Sequence, residues 1–181
     1  MPKEFDPRRL DVRRFAEEAG TLAGVTPALS FPRLASELET VSASNEVRWT
    51  ATGELRNPEH VHPEMWLYLE AEATFALTCQ RCLQPVDVEV MLERPFRFVA
   101  DEATAAAEDD EAEEEVLALS REFDLLELVE DELIMDLPVA PMHETCPVPV
   151  RMSSADPAYH LAEAERQHPF AVLGKLKAGK S

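Results

Sequence analysis

One stretch of the chain decides the fold, because every second residue in it is apolar: Trp66-Leu67-Tyr68-Leu69-Glu70-Ala71-Glu72-Ala73-Thr74-Phe75-Ala76-Leu77. One face carries Leu67, Leu69, Ala71, Ala73, Phe75 and Leu77, and the opposite face is mainly polar. A period of two is typical of a strand whose sheet is buried on one side. The stretch therefore predicts a long strand with one face in the core.

The segments on both sides of this strand extend the pattern. Residues 86–92 alternate valine or leucine with mostly charged residues, and residues 46–55 alternate more loosely before Asn57-Pro58 breaks them. We predict an antiparallel meander built from residues 46–55, 65–78 and 84–99. The side chains expected to be mostly buried are Leu67, Leu69, Phe75, Leu77, Val86, Val88, Val90, Leu128, Val129 and Leu133.

Two helices are predicted beside the sheet, so the fold class is α+β with flanking helices. The stronger one covers residues 124–137, where Asp124 and Glu127 resemble a capping box and Pro138 ends the helix. Its Glu130-Asp131-Glu132 run is interpreted as the solvated side. The other helix runs from Asp6 to about residue 19, with Asp6 as its N-cap.

Charge is unevenly distributed in this acidic chain. The formal net charge is −19, from 17 Lys and Arg against 36 Asp and Glu. Residues 101–115 contain nine acids and no base, so we expect a solvated, poorly ordered acidic loop over 100–116. Several prolines predict an extended, poorly ordered C-terminal tail. The expected organisation is an N-terminal helix and linker (1–45), a core domain (46–145) and a Pro-rich tail (146–181).

Several classes of function are disfavoured. No apolar run approaches the length of a membrane span, and the N-terminus lacks the apolar stretch of a secretion signal, so we expect a cytoplasmic protein without membrane contact. A Gly-rich phosphate loop, a nucleophile elbow and a metalloprotease helix motif are missing. We therefore expect no enzymatic activity and no small-molecule substrate.

Four residues could hold a metal ion. Cys79 and Cys82 are three positions apart in the turn between two predicted strands, and His143 and Cys146 repeat that spacing after the predicted helix. Three thiolates and one imidazole suit a closed, structural Zn²⁺ site. Alternatively, the cysteines are plain small residues and the histidine is simply exposed. A thioredoxin-like redox role is disfavoured, because the C-x-x-C lies between strands and no nearby feature would depress a thiol pKa.

The two ends of the chain are locally basic. Residues 1–14 have five bases against three acids, and residues 170–181 have three lysines and no acid. Ordinary solvated tails show the same charge pattern, so this alternative stays open. The candidate contacts to RNA or to a partner are Arg8, Arg9, Arg13, Arg14, Lys175, Lys177 and Lys180.

Three separated segments, taken together and in order, resemble the YceD family, described as large ribosomal RNA subunit accumulation proteins of bacteria with relatives in plastids. They are Leu77-Thr78-Cys79-Gln80-Arg81-Cys82, the segment from Phe123 to His143, and His168-Pro169-Phe170-Ala171-Val172-Leu173-Gly174-Lys175-Leu176-Lys177. The likeness spans about residues 45–177.

The resemblance implies a non-enzymatic role in 23S rRNA synthesis or processing, and so in accumulation of the large ribosomal subunit. The implied partner is 23S rRNA or its precursor, contacted directly or through a ribosomal protein. Because the net charge of −19 opposes phosphate binding, a rival interpretation is an acidic adaptor or chaperone-like module for a basic ribosomal protein.

Overall fold

A computed structural model of the chain describes residues 5–40, 45–61 and 63–149, together with positions 154 and 156. The chain divides into two units, Met1–Thr145 and Cys146–Ser181. All the helices and strands given below belong to the first unit. The second is described only at residues 146–149, 154 and 156.

A five-stranded sheet forms the centre of the first unit. Its strands are β1 (Thr21–Pro27), β2 (Glu46–Arg56), β3 (Glu64–Thr78), β4 (Pro85–Val99) and β5 (Glu115–Ala118), and they neighbour one another in chain order. The first three pairings are antiparallel, whereas β5 runs parallel to β4, so the sheet is mixed. The α+β class and the three predicted strands are confirmed. The sequence pattern did not predict β1 and β5.

Within the described ranges, four α-helices accompany the sheet: α1 (Val12–Glu17), α2 (Pro32–Glu37), α3 (Glu102–Asp109) and α4 (Leu125–Asp136). The prediction of α4 is confirmed, because the Asp124 carboxylate accepts from the N–H groups of Leu126 at 3.0 Å and Glu127 at 3.1 Å. Among the described residues, none of the helices has the length and apolar character needed to span a bilayer.

The first helix begins later than predicted. Its N-cap is Asp11, whereas Asp6 accepts from the Arg8 N–H at 2.9 Å and forms a separate turn. Between them, the Leu10 N–H donates to the Phe123 carbonyl at 2.8 Å in an isolated antiparallel bridge. This bridge requires extended backbone at Leu10, so a continuous helix from Asp6 is excluded.

The acidic segment predicted as a loop over 100–116 contains a helix, α3, and the start of a strand, β5. Asp101 caps α3 by accepting from the Thr104 N–H at 2.9 Å, and α3 is the crossover that lets β5 lie parallel to β4. Arg97 on β4 pairs with Glu114 at 2.6 Å and Glu108 at 2.7 Å. A count of charges within residues 101–115 does not include Arg97, because this base lies on β4, outside that segment. Most side chains of α3 are nevertheless exposed.

The core lies on one face of the sheet, where α1 and α4 pack against the strands and α2 packs against α4. Eight of the ten side chains predicted to be buried are buried, and Val86 and Val88 are partly buried against the same cluster. Phe15 of α1 belongs to this cluster as well. The N-terminal segment therefore contributes to the core that the sheet forms.

Two acids of the run that the sequence placed in solvent are buried, which corrects that interpretation. Glu130 is 5 % exposed and Glu132 is 7 % exposed. Glu130 accepts from the backbone N–H groups of Arg33 at 2.7 Å and Leu34 at 3.1 Å, in the first turn of α2, and pairs with the Arg33 guanidinium at 3.1 Å. A carboxylate on α4 thus satisfies backbone donors that helix geometry leaves unpaired.

The buried position of Glu132 affects its ionisation. Burial, together with repulsion from Glu115, raises the pKa of Glu132 above its ordinary value, and the Arg94 guanidinium at 3.2 Å opposes that rise. Both buried acids therefore form an ion pair with an arginine of another element, Arg33 for Glu130 and Arg94 for Glu132. The residue pattern of α4 alone does not reveal these partners.

We predict that Glu130→Ala lowers the free energy of unfolding by about 2 kcal/mol, because two backbone N–H groups of α2 lose their acceptor. Urea unfolding followed by circular dichroism measures the change. Asp131→Ala is the matched control, since Asp131 pairs with the same Arg33 but is about half exposed. An equal loss of stability in both variants would contradict the capping role of Glu130.

Candidate metal centre

The first two candidate ligands lie on the turn between β3 and β4. The Cys79 N–H donates to the Gln84 carbonyl at 3.0 Å, and the Leu83 N–H donates back to the Cys79 carbonyl at 2.9 Å. Leu83 adopts a left-handed φ of 58° to close the turn. This hydrogen bonding fixes Cys79 and Cys82 on one short, defined segment.

The turn is joined to the segment that follows α4. The Gln80 N–H donates to the Pro141 carbonyl at 2.9 Å. The Arg81 guanidinium donates to the Glu144 carbonyl at 3.2 Å and also to the His143 carbonyl. Protein groups alone therefore place His143 beside the cysteine turn, although about sixty residues separate the two in sequence.

The structure brings the four predicted ligands together. One ligand atom from each of Cys79, Cys82, His143 and Cys146 lies within 4.8 Å of the others. Cys82 Sγ is 3.5 Å from His143 Nδ1. Cys79 is buried, and the other three residues are partly exposed. This is the juxtaposition that the repeated spacing in the sequence predicted.

The surroundings of Cys79 favour its thiolate form. Burial by itself raises the pKa of this thiol, but backbone N–H groups of His143, Arg81 and Cys82 donate to the sulfur, and the His143 side chain adds a further hydrogen bond. The net result lowers the pKa of Cys79 to about 5. A thiolate is the form that binds a metal.

The expectation that no feature near the turn would depress a thiol pKa was therefore wrong. One of the donors to Cys79 comes from the segment after α4, which sequence proximity does not reveal. A low thiol pKa is also typical of a redox cysteine, but the Cys79 side chain has no exposed surface, so its sulfur cannot reach a disulfide of another molecule.

The donor set fits Zn²⁺. Zinc ligands lie at about 2.0–2.3 Å from the ion, which places tetrahedral ligand atoms roughly 3.5 to 3.8 Å apart. Here one pair, Cys82 Sγ and His143 Nδ1, is already 3.5 Å apart, and the ligand atoms all lie within 4.8 Å of one another, so no pair has to approach by more than about 1.3 Å around an ion. Three sulfur donors and one nitrogen donor form a closed set, which is typical of structural rather than catalytic zinc.

The basic residues predicted to contact RNA or a partner differ in their surroundings. Arg8, Arg9 and Arg14 form ion pairs with Asp124, Glu122 and Glu18 of the same chain. Arg13 is exposed. Lys175, Lys177 and Lys180 lie outside the described residues, so their role stays a prediction.

The sequence pattern does not identify two residues that shape the centre. Gln80 and Arg81 lie between the two cysteines of the C-x-x-C pair, and their donor groups hold the segment that carries His143. A long basic side chain inside such a spacer was the available signal, since a guanidinium readily bridges two carbonyl oxygens.

Comparison with known proteins adds a family to this geometry. The sequence model of the family described as "Large ribosomal RNA subunit accumulation protein YceD" matches residues 67–177, a range that contains all four candidate ligands and α4. A protein of that name from Haemophilus influenzae is 29 % identical over 186 residues, covering 98 % of this chain and 99 % of the relative. No solved structure gives a significant match.

Proposed function

Because this chain belongs to the family of the large ribosomal RNA subunit accumulation protein YceD, we propose that it supports accumulation of the large ribosomal subunit through synthesis or processing of 23S rRNA. The observation that carries the proposal is the similarity to a relative of that name over nearly the full length of both chains. We place this activity in the cytoplasm, where ribosomes are assembled.

The proposed factor is not an enzyme. The Cys79, Cys82, His143 and Cys146 set is closed, so a bound ion has no open position for a catalytic water. In our proposal these residues hold one structural Zn²⁺. The ion would add to the hydrogen bonds that join the β3–β4 turn to the segment after α4, and its binding free energy would become folding free energy.

The strong negative charge of the chain limits how it can contact rRNA. A net charge of −19 repels phosphate, so direct contact would involve the basic ends. The second route is an acidic adaptor that binds a basic ribosomal protein. The described structure favours this route in one respect, since Arg8, Arg9 and Arg14 are already paired with acids of the chain.

We expect loss of this protein from its host to lower the ratio of 23S to 16S rRNA and to deplete free large subunits in sucrose gradients. Re-expression of the wild-type chain should restore both. The 16S rRNA level is the internal control, because a general growth defect lowers both rRNAs. An unchanged ratio in the depleted cells would contradict the proposal.

Binding measurements separate the two routes. Direct rRNA contact predicts a steep decrease of affinity for 23S rRNA fragments with salt concentration, because phosphate neutralisation releases counterions. The adaptor route predicts that purified basic large-subunit proteins bind the chain more tightly than any rRNA fragment does.

A further inference from the structure

The outer face of the sheet, opposite the core, carries an ordered array of side chains. Register places Arg48, Glu72 and Met91 in one row across β2, β3 and β4. The adjacent row contains Thr50, Glu70 and Glu93. These two rows line a groove of about 520 Å³, which we call the outer-face groove.

The second row contains two like charges directly opposite each other. Glu70 on β3 faces Glu93 on β4, and both residues are exposed. Within the part of the chain that the structure describes, neither carboxylate has a hydrogen bond or an ion pair, whereas neighbouring Glu72 is paired with Arg48. Like charges at directly opposed positions destabilise a sheet. The fold thus tolerates a cost that a cationic partner would remove.

The surrounding residues strengthen this charge. A contiguous groove shares Arg48 and Glu72 with the first and is lined also by Glu46 and Glu89. The combined lining of the two grooves contains five carboxylates and one guanidinium. Met91, which is 69 % exposed, adds an apolar contact beside them.

The geometry favours an organic cation over a metal ion. In the described ranges, the carboxylates of the outer-face groove do not form a group of ligands close enough together to hold a metal ion. The group that does so consists of Cys79, Cys82, His143 and Cys146. A lysine or arginine side chain fits better, because its charged end can reach the carboxylates while its aliphatic stem packs on Met91. Phosphate, and hence RNA, is repelled by the same charges.

We propose that the outer-face groove, centred on Glu70 and Glu93, is the docking surface for an extended lysine- or arginine-rich segment of a basic protein. The inference deepens the adaptor route described above and rests on it only for the place of that partner in ribosome assembly. Charge complementarity selects the occupant, because five carboxylates and one guanidinium line the two grooves.

The test uses the full chain and a decalysine peptide, with affinity measured by titration calorimetry at low salt. Glu70→Gln combined with Glu93→Gln should weaken binding about tenfold, because two of the nearest charges are removed. The same pair of substitutions should raise Tm by about 1–3 °C, since it relieves the like-charge contact. The matched control is Glu111→Gln with Glu113→Gln, which changes net charge equally at exposed residues after α3 and should weaken binding less than about twofold.

A third variant separates loss of binding from damage to the fold. Glu70→Lys places a lysine opposite Glu93, so it should raise Tm as well as abolish peptide binding. Equal weakening in the two double variants would reveal attraction by net charge alone and would overturn the proposal. Binding of an rRNA fragment that only the groove variants weaken would overturn it too.

Complementation separates this inference from the proposed function. If the wild-type chain restores the 23S to 16S ratio and the Glu70→Gln, Glu93→Gln variant restores it equally well, the docking surface is rejected and the proposed function stands. If the groove variant binds decalysine weakly and also fails to restore the ratio, the docking surface is supported.

Discussion

Replacing Cys79 by serine is expected to abolish zinc binding and to lower Tm by about 10 °C. The expected stabilisation by a ligand present at 100 to 1,000 times its Kd corresponds to a shift of roughly this size for a chain of this length. Cys79 is the buried member of the ligand set and accepts several backbone N–H bonds, so its loss removes a metal bond and leaves those donors without a thiolate. Elemental analysis and calorimetry of protein purified without chelator measure the two effects.

The control for this experiment is His60→Gln, which alters a histidine outside the ligand set. Wild-type protein should contain about one zinc per chain, and His60→Gln should keep it. Cobalt substitution then reports the thiolate ligands through sulfur-to-metal absorption. Wild-type protein without zinc, with the same Tm before and after a chelator is added, would reject the metal centre.

Gly53→Ala should lower the free energy of unfolding by about 3 kcal/mol, although it adds one methyl group. Gly53 lies on β2 beneath α1, and a Cβ at this position would come within 2.7 Å of the Phe15 carbonyl oxygen and 2.8 Å of its ring. The Gly53 N–H also donates to the Gly20 carbonyl at 2.9 Å, which joins the short segment between α1 and β1 to the strand. Because backbone atoms obstruct the methyl group, side-chain rotation does not relieve the clash.

Thr52→Ala is the comparison for Gly53→Ala, because Thr52 precedes Gly53 on the same strand and points to the opposite face. It should change stability by less than about 1 kcal/mol. Denaturant unfolding of the two variants at equal protein concentration gives the difference. If Gly53→Ala is as stable as the wild type, α1 does not pack on β2 as described.

Patterns within single segments determined much of this protein. Alternation at Leu67, Leu69 and Leu77 identified β3 and its core face, because the face of a strand follows from the period of two alone. Asp124 and Pro138 bounded α4 for a similarly local reason, since helix ends depend on nearby caps and breakers. The four candidate ligands were recognisable because metal chemistry restricts residue type and spacing.

Only the tertiary structure decided the features that depend on a partner distant in sequence. The burial of Glu130 requires the backbone donors of α2, and the low pKa of Cys79 requires a donor from His143. Strand β1 contains Gly24 and Pro27 and has little alternation of apolar and charged residues. Its pairing with β2 is what defines it as a strand. The opposition of Glu70 and Glu93 follows from register, which the chain fixes when it packs the core faces of β3 and β4 together.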